Sequence, residues 1–136
     1  MIQFTVPGNP VPKGRPRSFV RGGKVGHYTP KKTADYEKAV RMLAEAAMMG
    51  RNPICGAVAV EITATFAIPP SWAKKRKEAA KNAPHTSKPD LDNCIKAICD
   101  GCNGVTWADD DQIYRISAIK RYGDVPGVEV KIVEMA

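Results

Sequence analysis

Apolar and polar positions alternate along residues 57–66 (AVAVEITATF), with Val58, Val60, Ile62, Ala64 and Phe66 on one side and Glu61, Thr63 and Thr65 on the other. A period of two puts successive side chains on opposite faces, so this stretch predicts a half-buried strand, ended by Pro69-Pro70. Shorter runs predict strands over residues 2–6 (IQFTV), 113–122 and 127–135, the last two separated by Gly123-Asp124-Val125-Pro126. Helical spacing takes over elsewhere. Tyr36, Ala39, Val40, Leu43, Ala46 and Ala47 predict a helix that Thr29-Pro30 opens with a capping hydroxyl and a first-turn proline, and that Gly50 and Pro53 close. Leu91, Cys94, Ile95, Ile98, Cys99 and Cys102 form a second apolar stripe, a helix over 90–102 stopped by Asn103-Gly104. Ser71 caps a short basic helix (WAKKRKEAAKNA), and residues 84–89 link it to the helix that follows.

Pro10, Pro12 and Pro16 exclude a helix from residues 9–28, and Gly14, Gly22 and Gly23 supply turns, so this segment reads as an ordered or semi-mobile loop. The order β, α, β, α, α, β, β predicts a small single-domain α+β fold over residues 1–136, with a mostly antiparallel sheet and helices packed on one face.

Composition narrows the class. Hydrophobic residues at 43% and charged residues at 26% are ordinary for a soluble globular protein. No apolar run approaches the roughly 20 residues that span a bilayer, and the N-terminus has no signal-peptide core, which predicts a cytoplasmic protein. Cys99 and Cys102 form a CxxC, but no second pair completes a zinc set, and Cys94, Cys99 and Cys102 fall on the apolar stripe. They read as core residues.

Charge changes the picture more. The chain is formally +7 with a pI near 9.4, and residues 1–34 hold seven Lys or Arg with no acid. Residues 74–88 add six against the single Glu78. Acid-free stretches of this length favour a polyanionic partner, nucleic acid above all. The basic loop 9–28, with Lys13, Arg15, Arg17, Arg21 and Lys24, can lie along a phosphate backbone without reading sequence.

Against that background, residues 88–112 (KPDLDNCIKAICDGCNGVTWADDDQ) gather six of the fourteen acids: Asp90, Asp92, Asp100, Asp109, Asp110 and Asp111. Crowded carboxylates raise one another's pKa values unless a cation joins them. Asp92, Lys96 and Asp100 are spaced i, i+4, i+8 along one helix ridge, and Asp109–Asp111 precede a strand that can return beside it. Oxygen-only donors of this kind suit Mg²⁺ or Mn²⁺, completed by water and substrate phosphates. Lys96, one turn beyond Asp92, can steady an attacking water or the charge on a scissile phosphate. Each part also has a structural account: Ser87-x-x-Asp90 as a capping box, Asp109–Asp111 as a polar turn, and the ridge as a solvated ion-pair row. A divalent metal site accounts for all of them together.

The stretch Asp90-Leu91-Asp92-Asn93, with Lys96, Asp100 and Trp107-x-Asp109-Asp110-x-Gln112, resembles the signature of the RusA-type Holliday junction resolvases. Val11–Arg17 (VPKGRPR) and His27-Tyr28-Thr29-Pro30 resemble the N-terminal part of that family. The resemblance implies a Mg²⁺-dependent, dimeric endodeoxyribonuclease that nicks four-way DNA junctions symmetrically in recombination and repair. Carried over by position, Asp90, Asp92 and Asp110 are the essential, metal-holding carboxylates and Lys96 is the catalytic lysine. Asp111 directly follows, so the choice among Asp109, Asp110 and Asp111 stays open. Lys13, Arg15, Arg17 and Lys88 are the positions assigned to DNA. The family includes phage and prophage members. Three rival readings stand beside this one: a metal-dependent nuclease for other branched DNA, a non-catalytic basic DNA-binding module whose acids only cap helices and fix loops, and a Ca²⁺-stabilised structural protein. The last is opposed by Asp109–Asp111, which lack the alternating ligand spacing of a calcium loop.

Overall fold

The computed structural model describes residues 1–135. In chain order the elements are β1 (Ile2–Pro7), β2 (Arg17–Arg21), β3 (Lys24–Tyr28), α1 (Lys31–Met48), β4 (Val58–Ala67), α2 (Lys74–Ala80), α3 (Leu91–Cys102), β5 (Ile113–Gly123) and β6 (Gly127–Glu134). A single 3₁₀ turn, Asp110–Gln112, leads into β5.

The main sheet has the order β1-β6-β4-β5. β6 runs antiparallel to both β1 and β4, whereas β4 and β5 are parallel. The parallel pair follows from the connection: α2 and α3 carry the chain back across the sheet before β5 begins, so β5 starts at the same end as β4. The fold is α+β, with a mixed sheet in which antiparallel pairs predominate.

The predicted inward row of β4 is buried throughout (Val58, Val60, Ile62, Ala64, Phe66), and Val128, Val130 and Ile132 of β6 join it. Tyr36, Val40, Ala44 and Met48 of α1 and Cys94, Ile98 and Cys102 of α3 close the same core from above. The two helices meet at Gly101, where a Cβ would come within 2.6 Å of Val40 Cγ1. Their close approach therefore depends on a residue without a side chain, and it fixes where the head of α3 lies relative to α1.

Three local expectations need correction. Residues 9–28 are not simply a loop: β2 and β3 pair as a separate two-stranded sheet. Gly22 and Gly23 have φ of 59° and 76°. Two central residues with positive φ make the tight turn that matches strand twist, and Gly-Gly is among the sequences that form it. The hydroxyls of Thr29 and Ser71 do not cap helices. The N-cap positions are Pro30 in α1 and Ala73 in α2, neither with a side-chain cap bond. A hydroxyl must occupy the N-cap itself to reach the free N–H groups, and both side chains lie too early. The basic helix is also shorter than the stretch 72–83 that suggested it.

Candidate active site

The acidic stretch folds around α3. Asp90 is the N-cap residue by backbone position, with φ −65° and ψ 144°, yet its carboxylate makes no cap bond. The capping-box account of Ser87 and Asp90 is therefore not realised. Asp90 and Asp92 are both exposed at the head of the helix.

Two basic residues hold α3 and its head in place. Lys120, on the core-facing side of β5 opposite Ala64, donates to the carbonyls of Ser87 (2.7 Å) and Pro89 (2.6 Å). Pro89 directly precedes Asp90. Lys13 binds from the other direction. Its ammonium pairs with Glu37 of α1 (2.6 Å) and Asp100 of α3 (3.0 Å), and its backbone N–H donates to the Asn93 carbonyl at 3.0 Å. The hydrogen bond to Glu37 is the main reason the Lys13 pKa is raised. Gly14 N–H donates to Thr33 Oγ1 at 2.9 Å, so the segment is tied to both helices.

This arrangement separates the four residues assigned to DNA. The ammonium of Lys13 is engaged within the protein, and Asp100 answers Lys13 instead of Lys96. Arg15, Arg17 and Lys88 are exposed. Arg15 and Lys88 line a cleft of about 530 Å³ with Pro12, Lys13, Pro89, Asp90 and Asn93. The basic loop and the head of the acidic helix thus share one depression, which also holds the uncapped Asp90 carboxylate. Lys96 is exposed one turn after Asp92 and joins no ion pair among the described residues.

The second acidic group is organised by a tryptophan. Trp107 is fully buried, the bulkiest of the completely enclosed side chains. Its indole N–H needs an acceptor there, and it donates to Asp110 Oδ1 at 2.8 Å. Asp109 caps the 3₁₀ turn: its carboxylate accepts from the Gln112 backbone, and the Gln112 side chain accepts from Asp109 N–H at 2.7 Å. Gln112 Nε2 donates to the carbonyls of Ile54 (2.7 Å) and Gly56 (2.8 Å), pinning the turn to the start of β4. Of the three adjacent acids, Asp109 has a capping task and Asp111 is exposed, while Asp110 alone is aimed by a buried donor.

The cysteines locate these acids along α3. Burial pushes the Cys94 thiol up, Lys120 opposes that, and Asp92 and Asp90 add to it. Burial, followed by the field of Asp110, holds Cys99 at about 12. Cys102 is pushed up to about 12 as well, chiefly by burial. Thiols of this kind are core residues without thiolate reactivity. Asp90 and Asp92 stand at the head of α3, and Asp110 in the 3₁₀ turn before β5.

Among the described residues, no three His, Cys, Asp or Glu side chains are gathered into a ready-made metal cage. The donor chemistry nevertheless fits a hard divalent cation. Mg²⁺ is commonly held by one or two carboxylates together with waters and substrate phosphates, and Asp90 in the cleft with exposed Asp92 two residues on in α3 supplies oxygens of that kind.

The matching family model, described as endodeoxyribonuclease RusA, spans residues 7–133. The chain belongs to the RusA endodeoxyribonuclease family. It is also similar to the uncharacterized protein YqaN of Bacillus subtilis (strain 168), at 35% identity over 139 residues, covering 99% of this chain and 97% of that one. The RusA match takes in the basic loop, both helices that Lys13 bridges, and every acid of the 88–112 segment. Among the described residues, no helix is long and apolar enough to cross a membrane.

Sequence reasoning did not find Lys120, Glu37 or the role of Trp107 in holding a carboxylate. Trp107 carried a signal, since a large aromatic three residues before an acid, in a turn, can reach it. Lys120 carried none, being one cation among several in a strand.

His85 adds a pH dependence. It is 8% exposed, stacked on Phe66 at 3.9 Å between ring centroids, and its Nδ1 has no hydrogen-bond partner among the described residues. Burial, then the nearby Lys120 charge, lowers its pKa from 6.5. The unfolded chain therefore takes up this proton first as pH falls, and stability drops below about pH 6.5 towards the folded-state value. Melting curves at pH 7.5 and 5.5 should show a larger loss of Tm for the native protein than for His85→Phe. Equal losses would mean that His85 is not responsible.

Proposed function

We propose that this RusA-family chain is a Mg²⁺-dependent endodeoxyribonuclease, with Mn²⁺ as a substitute, that acts as a homodimer to nick four-way DNA junctions. The observation that carries this reading is the cleft that Asp90 lines together with Lys13, Arg15 and Lys88. A carboxylate beside two cations, itself not used as a cap, suits a phosphodiester held by its neighbours and a cation held by the acid.

Arg15 and Lys88 bind phosphates flanking the scissile bond and set its register without reading bases. Asp90, Asp92 and Asp110 would hold the metal. When bound, that ion supplies Lewis-acid polarisation of the phosphoryl oxygen and lowers the pKa of a water. Trp107 keeps Asp110 in one orientation. Lys96 places a positive charge on the solvent side of the α3 ridge, where charge accumulates on the phosphate. Two-fold pairing of subunits matches a substrate with two equivalent strands to cut.

The test is cleavage of a synthetic four-way junction and of a matched linear duplex, each with Mg²⁺ and with EDTA. Paired nicks in the junction alone, dependent on metal, are expected. Cutting of flaps or forks in preference would move the substrate to other branched DNA. Binding without cutting under either Mg²⁺ or Mn²⁺ would leave a non-catalytic DNA-binding module.

A further inference from the structure

Among the described residues the β2–β3 ribbon pairs with no other strand, and its side chains divide unevenly between its faces. Antiparallel partners share a face, so Arg17 with Tyr28, Phe19 with Gly26, and Arg21 with Lys24 lie on one side. Ser18, Val20, Val25 and His27 lie on the other. The first face is therefore three cations around two aromatic rings. Phe19 and Tyr28 are 44% and 48% exposed despite packing 6.1 Å apart, so much of each ring faces solvent.

Gly26 explains how Phe19 lies. A Cβ at that position would overlap the Phe19 ring, so the phenyl group rests flat across the bare backbone of β3. A ring laid flat on a ribbon presents its opposite π-face outward. Phenylalanine has no hydrogen-bonding group with which to read a base edge, whereas a π-face can accept any stacked base. In continuous duplex those base faces are covered by neighbours. They become available where strands part.

Charge selects the partner. No acidic residue occurs among residues 1–34, and Arg17 lies two positions from Arg15, which lines the Asp90 cleft. We propose that the β2–β3 ribbon is a nucleic-acid arm whose Phe19/Tyr28 face stacks on unpaired bases at a branch, with Arg17, Arg21 and Lys24 on the adjoining phosphates. This rests on the DNA reading above and adds the class of nucleotide contacted. Stacking platforms set among cations are the recurrent solution for holding unpaired strands without sequence preference.

The experiment uses the full chain in EDTA, so that cutting plays no part. Fluorescence anisotropy measures affinity for a four-way junction, an oligo-dT strand and a linear duplex, and 2-aminopurine placed at the branch or mid-arm reports stacking. Phe19→Ala should weaken junction and oligo-dT binding about tenfold while leaving duplex affinity within about twofold, and Phe19→Trp should restore it. 2-Aminopurine emission should change on binding only at the branch. Unchanged affinity of Phe19→Ala for junction and oligo-dT would overturn the arm alone. Equal loss on all three DNAs would also overturn it, because it would mark Phe19 as a mere support of the ribbon. No binding of native protein to any DNA would remove the DNA reading itself.

Discussion

Asp92→Asn should abolish junction cleavage and leave junction binding intact or tighter. The side chain is exposed in the first turn of α3, so the amide replaces it without disturbing the fold. What disappears is a negative charge two residues after Asp90, which lines the cleft with Arg15 and Lys88. For binding, that loss is favourable, since one repulsion towards phosphate is gone. For catalysis, it removes a metal-holding oxygen anion and several kcal/mol of stabilisation for charge developing on the phosphate, about 10³-fold or more in rate. Single-turnover cleavage beside anisotropy in EDTA separates the two effects. A folded variant that loses binding and cleavage together would show that Asp92 serves the interface and not the chemistry.

Lys120→Met should give the second large effect, through position and not contact. Methionine keeps an apolar stem beside Phe66 but cannot donate to the Ser87 and Pro89 carbonyls. Hydrogen bonds from a charged donor are worth about 1.5–3 kcal/mol each, and here they fix the segment that delivers Asp90 into the cleft. Loss of groups that orient metal-holding residues typically lowers activity or metal affinity about 10- to 100-fold. The Mg²⁺ concentration for half-maximal cleavage should rise, binding in EDTA should hold, and Lys120→Arg should recover part of the activity. If binding in EDTA falls in parallel, Lys120 touches phosphate directly and the positioning role is wrong.

The parts of this protein that were legible in the sequence are those governed by local pattern. The alternation through Val58–Phe66 specified a strand and its buried face, and the Leu91–Cys102 stripe specified α3 almost to the residue. The acidic stretch was visible because its composition runs against that of the whole chain. What escaped were relations between distant segments. Glu37 and Asp100 look like surface acids until the fold brings Lys13 between them, 24 residues before the first of the pair. The parallel pairing of β4 and β5 depends on the path of two intervening helices, which no local period encodes. The β2–β3 ribbon escaped for a different reason. The prolines on its N-terminal side outweighed a Gly-Gly turn signal flanked by Phe19, Val20 and Val25.

The indole that orients Asp110 also makes the site observable by light. The chain has two tryptophans. Trp72 is partly exposed with the Arg76 guanidinium 3.7 Å from its ring centroid, whereas Trp107 is sealed in the core. Iodide in solution would quench the first and spare the second. The residual emission would then come from a chromophore whose only polar group rests on the carboxylate proposed to bind the cation. Any ion that draws electron density from Asp110 would alter that emission before a single phosphodiester is broken, giving cation occupancy an optical signal that needs neither DNA nor a label.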